Sequence, residues 1–123
     1  MEIKGQIVSL EKGTIEPGKM RVEGGKILSL DKTATAPQRF ILPGLVDSHV
    51  HIESSMLPPS EFARLAVGHG TVATVSDPHE IGNVVGLEGV RFMIGDGKRV
   101  PFKFFFGASP CVPATTFESA GAT

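Results

Sequence analysis

Apolar and polar positions alternate at the start of the chain. Ile3, Gly5 and Ile7 are separated by Lys4 and Gln6, and Met20–Val22 and Ile27–Leu30 form two further short apolar stretches. A period of two marks a strand with one face buried. Between the two stretches lies Glu23-Gly24-Gly25-Lys26, a hairpin signal, because a type I′ turn needs positive φ at both central positions. Gly13 and Pro17-Gly18 are expected to punctuate the earlier strands. Strands this short and few cover little core, so they are expected to lean on other structure. Asp31 to Arg39 is polar, contains a proline and reads as a linker.

From Phe40 the pattern changes. Phe40-Ile41-Leu42, Pro43-Gly44 and Leu45-Val46 lead into a strand. Pro58-Pro59-Ser60 predicts a helix start, with Phe62, Leu65 and Ala66 sharing one face and Gly68 or Gly70 ending it. Thr71 to Ser76 is rich in β-branched residues, as expected of a strand buried on both sides. A second helix is predicted from Asn83 to Ile94, with Leu87, Val90, Phe92 and Met93 as its apolar set and Gly95-Asp96-Gly97 as its stop. Phe102 to Phe106 reads as a third strand. Strand–helix–strand–helix–strand with short connections implies an α/β unit with parallel pairing.

Composition narrows the function classes. The chain has 123 residues and a net charge of −1, too near neutral for a nucleic-acid or membrane-surface binder. Its single cysteine, Cys111, excludes an internal disulfide and a multi-cysteine zinc site, and a reducing cytoplasm is the expected compartment. No run approaches the roughly 20 apolar residues of a membrane span, and the N-terminus lacks an apolar signal core.

The chemistry concentrates in Asp47-Ser48-His49-Val50-His51-Ile52-Glu53. In an extended strand Asp47, His49, His51 and Glu53 would share one face, with Val46, Val50 and Ile52 on the other. Imidazoles about 6.6 Å apart along a strand can converge on one divalent ion at metal–nitrogen distances of about 2.1 Å. The bland alternative is an exposed strand end carrying two ordinary histidines. Asp77-Pro78-His79-Glu80 follows the second strand, where Pro78 turns the chain outward to the same end of the sheet. There Asp77, His79 and Glu80 serve as a metal ligand, proton shuttle or substrate partner, or else Asp77 caps a helix with Glu80 as its capping-box partner. Cys111, beyond the third strand, has no basic neighbour in sequence and reads as a packed or substrate-adjacent thiol. His69, between two glycines, reads as structural. His51-Ile52-Glu53 with Pro110-Cys111 imitates the zinc nucleobase deaminase signature, but that pattern needs a cysteine where this chain has Ala114.

Leu42-Pro43-Gly44-Leu45-Val46-Asp47-Ser48-His49-Val50-His51 resembles the opening of the amidohydrolase superfamily of metal-dependent hydrolases. Within it, Ile52-Glu53-Ser54-Ser55-Met56, His69-Gly70-Thr71, Asp77-Pro78-His79-Glu80-Ile81, Ser109-Pro110-Cys111-Val112-Pro113-Ala114-Thr115 and Phe117-Glu118-Ser119-Ala120-Gly121-Ala122 resemble the bacterial and archaeal adenine deaminases. The resemblance implies a small N-terminal β subdomain (residues 1–39, part of a composite β domain), followed by about three β/α units of an incomplete TIM-like barrel (residues 40–123). It implies His49 and His51 on a metal of a binuclear centre, manganese or iron, and hydrolysis of adenine to hypoxanthine and ammonia. Asp77, His79 and Glu80 fall at family site positions without an assigned role, and Glu53 at a supporting or substrate contact. The family's remaining ligands and catalytic aspartate would follow Thr123, so the chain reads as an inactive fragment of a homo-oligomer acting on a purine base. Other expectations open at this stage are a cyclic-amide hydrolase, an amino-sugar deacetylase, or a non-catalytic metal-binding domain.

Overall fold

The computed structural model describes residues 1–108, 111–113, 115–117 and 119. It divides into two units, Met1–Pro43 and Gly44–Thr123.

In the first unit, β1 (Glu2–Ser9), β2 (Thr14–Glu23) and β3 (Lys26–Lys32) form an antiparallel meander, and β4 (Phe40–Ile41) pairs parallel to β1, in the order β3-β2-β1-β4. Glu23 pairs with Lys26 across the expected two-residue turn, where Gly24 and Gly25 hold φ of 57° and 74°. Pro17-Gly18 does not break the chain as expected; β2 runs through it. The reason is directional. The carbonyl of Pro17 accepts from Thr33 N at 3.0 Å, beyond the last β2–β3 pair at Gly18 and Lys32. The N–H and C=O of one strand residue point the same way, so the donor that proline lacks falls past the end of that ladder, and β1 loses nothing. Gly5 is buried where the incoming linker crosses: a Cβ there would sit 2.6 Å from the Arg39 carbonyl. That carbonyl accepts from Gln6 N at 2.7 Å.

The second unit is a parallel sheet, β5 (Leu45–Val50), β6 (Thr71–Ser76) and β7 (Lys103–Phe106), in the order β5-β6-β7. A 3₁₀ turn (Ile52–Ser55) and α1 (Pro59–Gly68) connect β5 to β6, and α2 (His79–Val85) and α3 (Leu87–Gly97) connect β6 to β7. Mixed α/β organisation with parallel pairing agrees with the sequence pattern. The single second helix does not: Gly86, at φ 69° and ψ −150°, splits it into α2 and α3. That backbone region is open to glycine almost alone, so the helix cannot pass through it.

Burial also departs from the pattern. Pro59 and Ala63 form the buried stripe of α1, whereas Leu65 is exposed. In α3 the buried residues are Gly89, Met93, Asp96 and Gly97, while Leu87 and Phe92 face water. Ala73 and Thr74, on opposite faces of β6, are both buried, whereas Val72 and Val75, also on opposite faces, are exposed, so each side of β6 is covered only in part. Phe104 lies against α3, since a Cβ on Gly97 would come within 3.0 Å of its ring, and Phe105 on the opposite face is exposed.

α3 runs through Gly95-Asp96 and ends at Gly97, within the expected stop and three residues past Ile94, and Asp96 has a further task. Its carboxylate accepts from Ser60 N in the first turn of α1 at 2.7 Å and pairs with Arg99 at 3.1 Å. Pro58, the residue before α1, has no side chain able to cap it, so the donor is satisfied from a neighbouring helix. The hydrogen bond from the Ser60 backbone holds the Asp96 carboxyl below its ordinary range against the opposing effect of burial, with Arg99 adding to the shift.

Candidate metal centre

Parallel pairing sets the C-terminal ends of β5 and β6 side by side. Val50 pairs with Ser76, and Asp77 N donates to Val50 O at 3.2 Å. Side chains just past both strands therefore meet at the end where open parallel sheets bind ligands.

The sequence expectation of one continuous strand face fails after His51. β5 ends at Val50, its register shifts between Asp47 and Val50, and Ile52–Ser55 closes into the 3₁₀ turn with Ile52 fully buried. Asp47 does not join the histidines at a common ligand point. Its Oδ1 folds back to accept from His49 N at 3.1 Å, the local turn that short acidic side chains favour.

His49, His51 and His79 form a row. The His49 and His51 ring centroids are 4.9 Å apart and those of His51 and His79 4.5 Å, both edge-on. His51 Nδ1 lies 2.8 Å from the backbone oxygen of Asp77, and His79 Nδ1 lies 3.2 Å from Asp77 Oδ2. Both oxygens only accept, so each Nδ1 carries a proton, and in the neutral ring Nε2 is the nitrogen that bears the lone pair. Orienting a ligating imidazole through its other nitrogen is the usual support of a metal site. Asp77 thus serves both rings at once, one by its main chain and one by its carboxylate.

His49 Nε2 and His51 Nε2 lie 3.2 Å apart. Two nitrogens on one ion at about 2.1 Å, subtending a right or tetrahedral angle, stand about 3.0–3.4 Å apart. His51, Asp77 and His79 also offer ligand atoms within 4.8 Å of one another. The donor set fits a divalent cation on a second ground. Asp77 Oδ1 and Glu53 Oε2 are buried with no hydrogen-bond partner, and a buried carboxylate oxygen is costly unless something positive or hydrogen-bearing meets it.

Glu53 and Glu80 sit beside this row. Glu53 lies in the 3₁₀ turn, off the strand face expected for it, and its Oε1 accepts from Ile81 N at 3.3 Å. Asp77 therefore does not cap α2, and Glu80 is not a capping-box partner: no side chain of the cap residue, Pro78, bonds the helix, and the carboxylate at its first turn comes from Glu53. Glu80 Oε1 instead accepts from Ser54 Oγ at 2.6 Å. Ser54 is a residue that pattern reading passed over; its place directly after Glu53, in the segment following His51, was the available signal. Cys111 is half-buried, and its backbone oxygen accepts from Asn83 Nδ2 of α2 at 3.0 Å, so this segment lies against the helix that carries His79. Ser109, Pro110, Ala114 and Glu118, and Ala120 to Thr123, which carry parts of the quoted motifs, lie outside the described residues. Among the described residues no helix is long and apolar enough to cross a membrane.

A parallel sheet with clustered histidines and a carboxylate at its C-terminal edge brings together donor groups that suit a divalent cation. Residues 40–123 match the Amidohydrolase family, and the chain belongs to that family. Its relatives carry a more particular name. The chain is 64% identical over 123 residues to an adenine deaminase of Sulfurovum sp. (strain NBC37-1) and 58% identical over 120 residues to one of Salinibacter ruber. It is 64% identical over 104 residues, 85% of the chain, to one of Methanosarcina acetivorans. The chain spans 23%, 22% and 19% of the length of these three curated relatives.

Proposed function

We propose that this chain is the N-terminal part of a metal-dependent hydrolase that converts adenine to hypoxanthine and ammonia. The observation that carries the reading is the approach of His49 Nε2 and His51 Nε2 to 3.2 Å beside an Asp77 that fixes the His51 ring. The substrate comes from the name borne by the relatives at 58–64% identity.

In this reading His49 and His51 hold one ion of a binuclear manganese or iron centre, and the other ligands belong to the longer protein. When bound, such ions acidify a coordinated water and stabilise the charge that develops at the attacked carbon. The chain's own residues supply orientation. Asp77 orients the rings of His51 and His79 through Nδ1, which turns Nε2 of each neutral imidazole outward, and His79 Nε2 is placed as a further donor to the cation or an acceptor for the substrate's N–H groups. Glu53 anchors the start of α2, and Ser54 holds the Glu80 carboxylate at the edge of the site. Cys111 stands on the α2 side as a substrate-adjacent thiol. The unit from Gly44 holds the opening β/α units of a barrel, and the unit Met1–Pro43, which takes in Phe40–Ile41 through their pairing with β1 and so moves the expected boundary from residue 39 to 43, belongs to a composite β domain. The longer protein acts in the cytoplasm as a homo-oligomer.

The test is turnover. Full-length protein reconstituted with Mn²⁺ is expected to release ammonia from adenine, with the accompanying change in purine absorbance, and the 123-residue chain alone is expected to release none. Full-length protein that leaves adenine intact while hydrolysing a cyclic amide or an N-acetyl amino sugar contradicts the reading.

A further inference from the structure

We propose that Glu53 is a positioning residue for His79: by holding the start of α2 it sets where the His79 ring stands relative to His51. This rests on the deaminase reading above and deepens it. His51 and His79 reach the site on separate segments, yet their rings stand 4.5 Å apart, edge-on. The segment that carries His79 holds itself poorly. α2 has 7 residues, too few for a helix to persist on its own propensity. Pro78 offers no side-chain cap, and Gly86 severs α2 from α3. Among the described residues Gly82 is the only one of α2 that is buried.

The arm that carries His51 supplies what α2 lacks. Glu53 Oε1 accepts from Ile81 N at 3.3 Å, one of the first-turn N–H groups that a helix leaves without an internal partner. Beside it, Ser54 Oγ donates to Glu80 Oε1 at 2.6 Å, so two consecutive residues of the 3₁₀ turn hold two consecutive residues of α2. The turn is itself a firm base: Ile52 is fully buried, and Ser55 Oγ donates to Ile52 O at 2.6 Å. Among the described residues Ile81 N is the one hydrogen-bond partner of the Glu53 carboxylate, because Oε2 is buried and has none. The two acidic residues divide the work on His79. Asp77 fixes the rotation of the ring through Nδ1, and Glu53 fixes the helix from which the ring projects.

Two conservative variants of the full-length protein separate reach from charge. Glu53→Asp keeps the charge and shortens the side chain by one methylene, which takes the carboxylate away from Ile81 N. Glu53→Gln keeps an oxygen at the same reach and loses the charge. Co²⁺ affinity is read by competition with a chromophoric chelator, and hypoxanthine affinity by calorimetry on the Co²⁺-loaded protein. Glu53→Asp is expected to weaken at least one of the two by roughly tenfold, and Glu53→Gln to stay within about threefold of wild type. In a His79→Ala background the Glu53→Asp loss is expected to shrink below about twofold, because the residue it works through is gone. Losses that add across the two positions overturn the proposal. A Glu53→Gln loss as large as that of Glu53→Asp also overturns it, by assigning the carboxylate a direct contact through its charge. So does a Glu53→Asp protein equal to wild type in both affinities. Wild-type protein that binds Co²⁺ but neither binds hypoxanthine nor deaminates adenine overturns the deaminase reading, and the Co²⁺ affinities then decide the role of Glu53 alone.

Discussion

The backbone oxygen of Asp77 lies 2.8 Å from Nδ1 of His51, a partner 26 residues away in sequence, and thereby fixes which nitrogen of that ring is bare. The contact exists because β5 and β6 are parallel neighbours, so the residue after one strand meets the residue after the next. Fold and tautomer are linked here: the sheet order decides the chemistry that the imidazole presents.

Asp77→Asn separates the two tasks of this residue. The main-chain contact to His51 survives the change, while the carboxylate that orients His79 is lost. Divalent metal affinity, read by competition with a chromophoric chelator, is expected to fall roughly 10- to 100-fold, the usual cost of losing a group that orients a ligand. Thermal unfolding of the apo-protein is expected to change little, because Asp77 caps no helix. A variant with unaltered affinity contradicts the supporting role given to its carboxylate.

Asp96 governs stability at acid pH. Its folded carboxyl lies below the ordinary 3.8 because the Ser60 N–H favours the charged form. A depressed folded pKa means that the unfolded chain binds the proton more readily. The contribution is therefore complete above about pH 4–5 and disappears as the pH falls below 3.8 through the depressed value. Urea unfolding of wild type and Asp96→Asn between pH 7 and pH 2.5 is the measurement. The two are expected to differ by about 1–2 kcal/mol near neutrality and to converge at the acid end. A constant gap across the range contradicts the assignment.

Gly86→Ala tests the break between α2 and α3. Alanine at φ 69° and ψ −150° is strained, and the expected loss is about 1–3 kcal/mol, seen as a lower urea midpoint with an unchanged slope. The same substitution at Gly95, inside α3 with nothing near its Cβ position, is expected to be neutral or stabilising. Equal effects at the two sites contradict the account of the break.

Much of this was legible in the sequence, and the exceptions share a cause. The Gly24-Gly25 turn, the start of α1 at Pro59 and the alternation of strand and helix rest on local chemistry, which the sequence carries directly. That His49, His51, Asp77 and His79 lie near one another follows from strand period and parallel order, which bring them to one edge. Other features were set by long-range partners. Asp96 reads only as part of a helix end, and its role as acceptor for Ser60, 36 residues away, is not visible in the pattern. Pro17 reads as a break until its missing donor is found to lie past the end of the β3 ladder. Glu53 reads as a fourth member of the strand face until Ile52 turns inward and ends the extended run. Periodicity places residues on elements; it does not say which neighbour satisfies them.

Crystals of the full-length protein soaked with Mn²⁺ and measured at the manganese absorption edge examine the histidine pair most directly. The account predicts an anomalous peak about 2.1 Å from both His49 Nε2 and His51 Nε2, with His51 Nδ1 still on the Asp77 oxygen. Two rings rotated apart, with no peak between them at full soaking concentration, would contradict it.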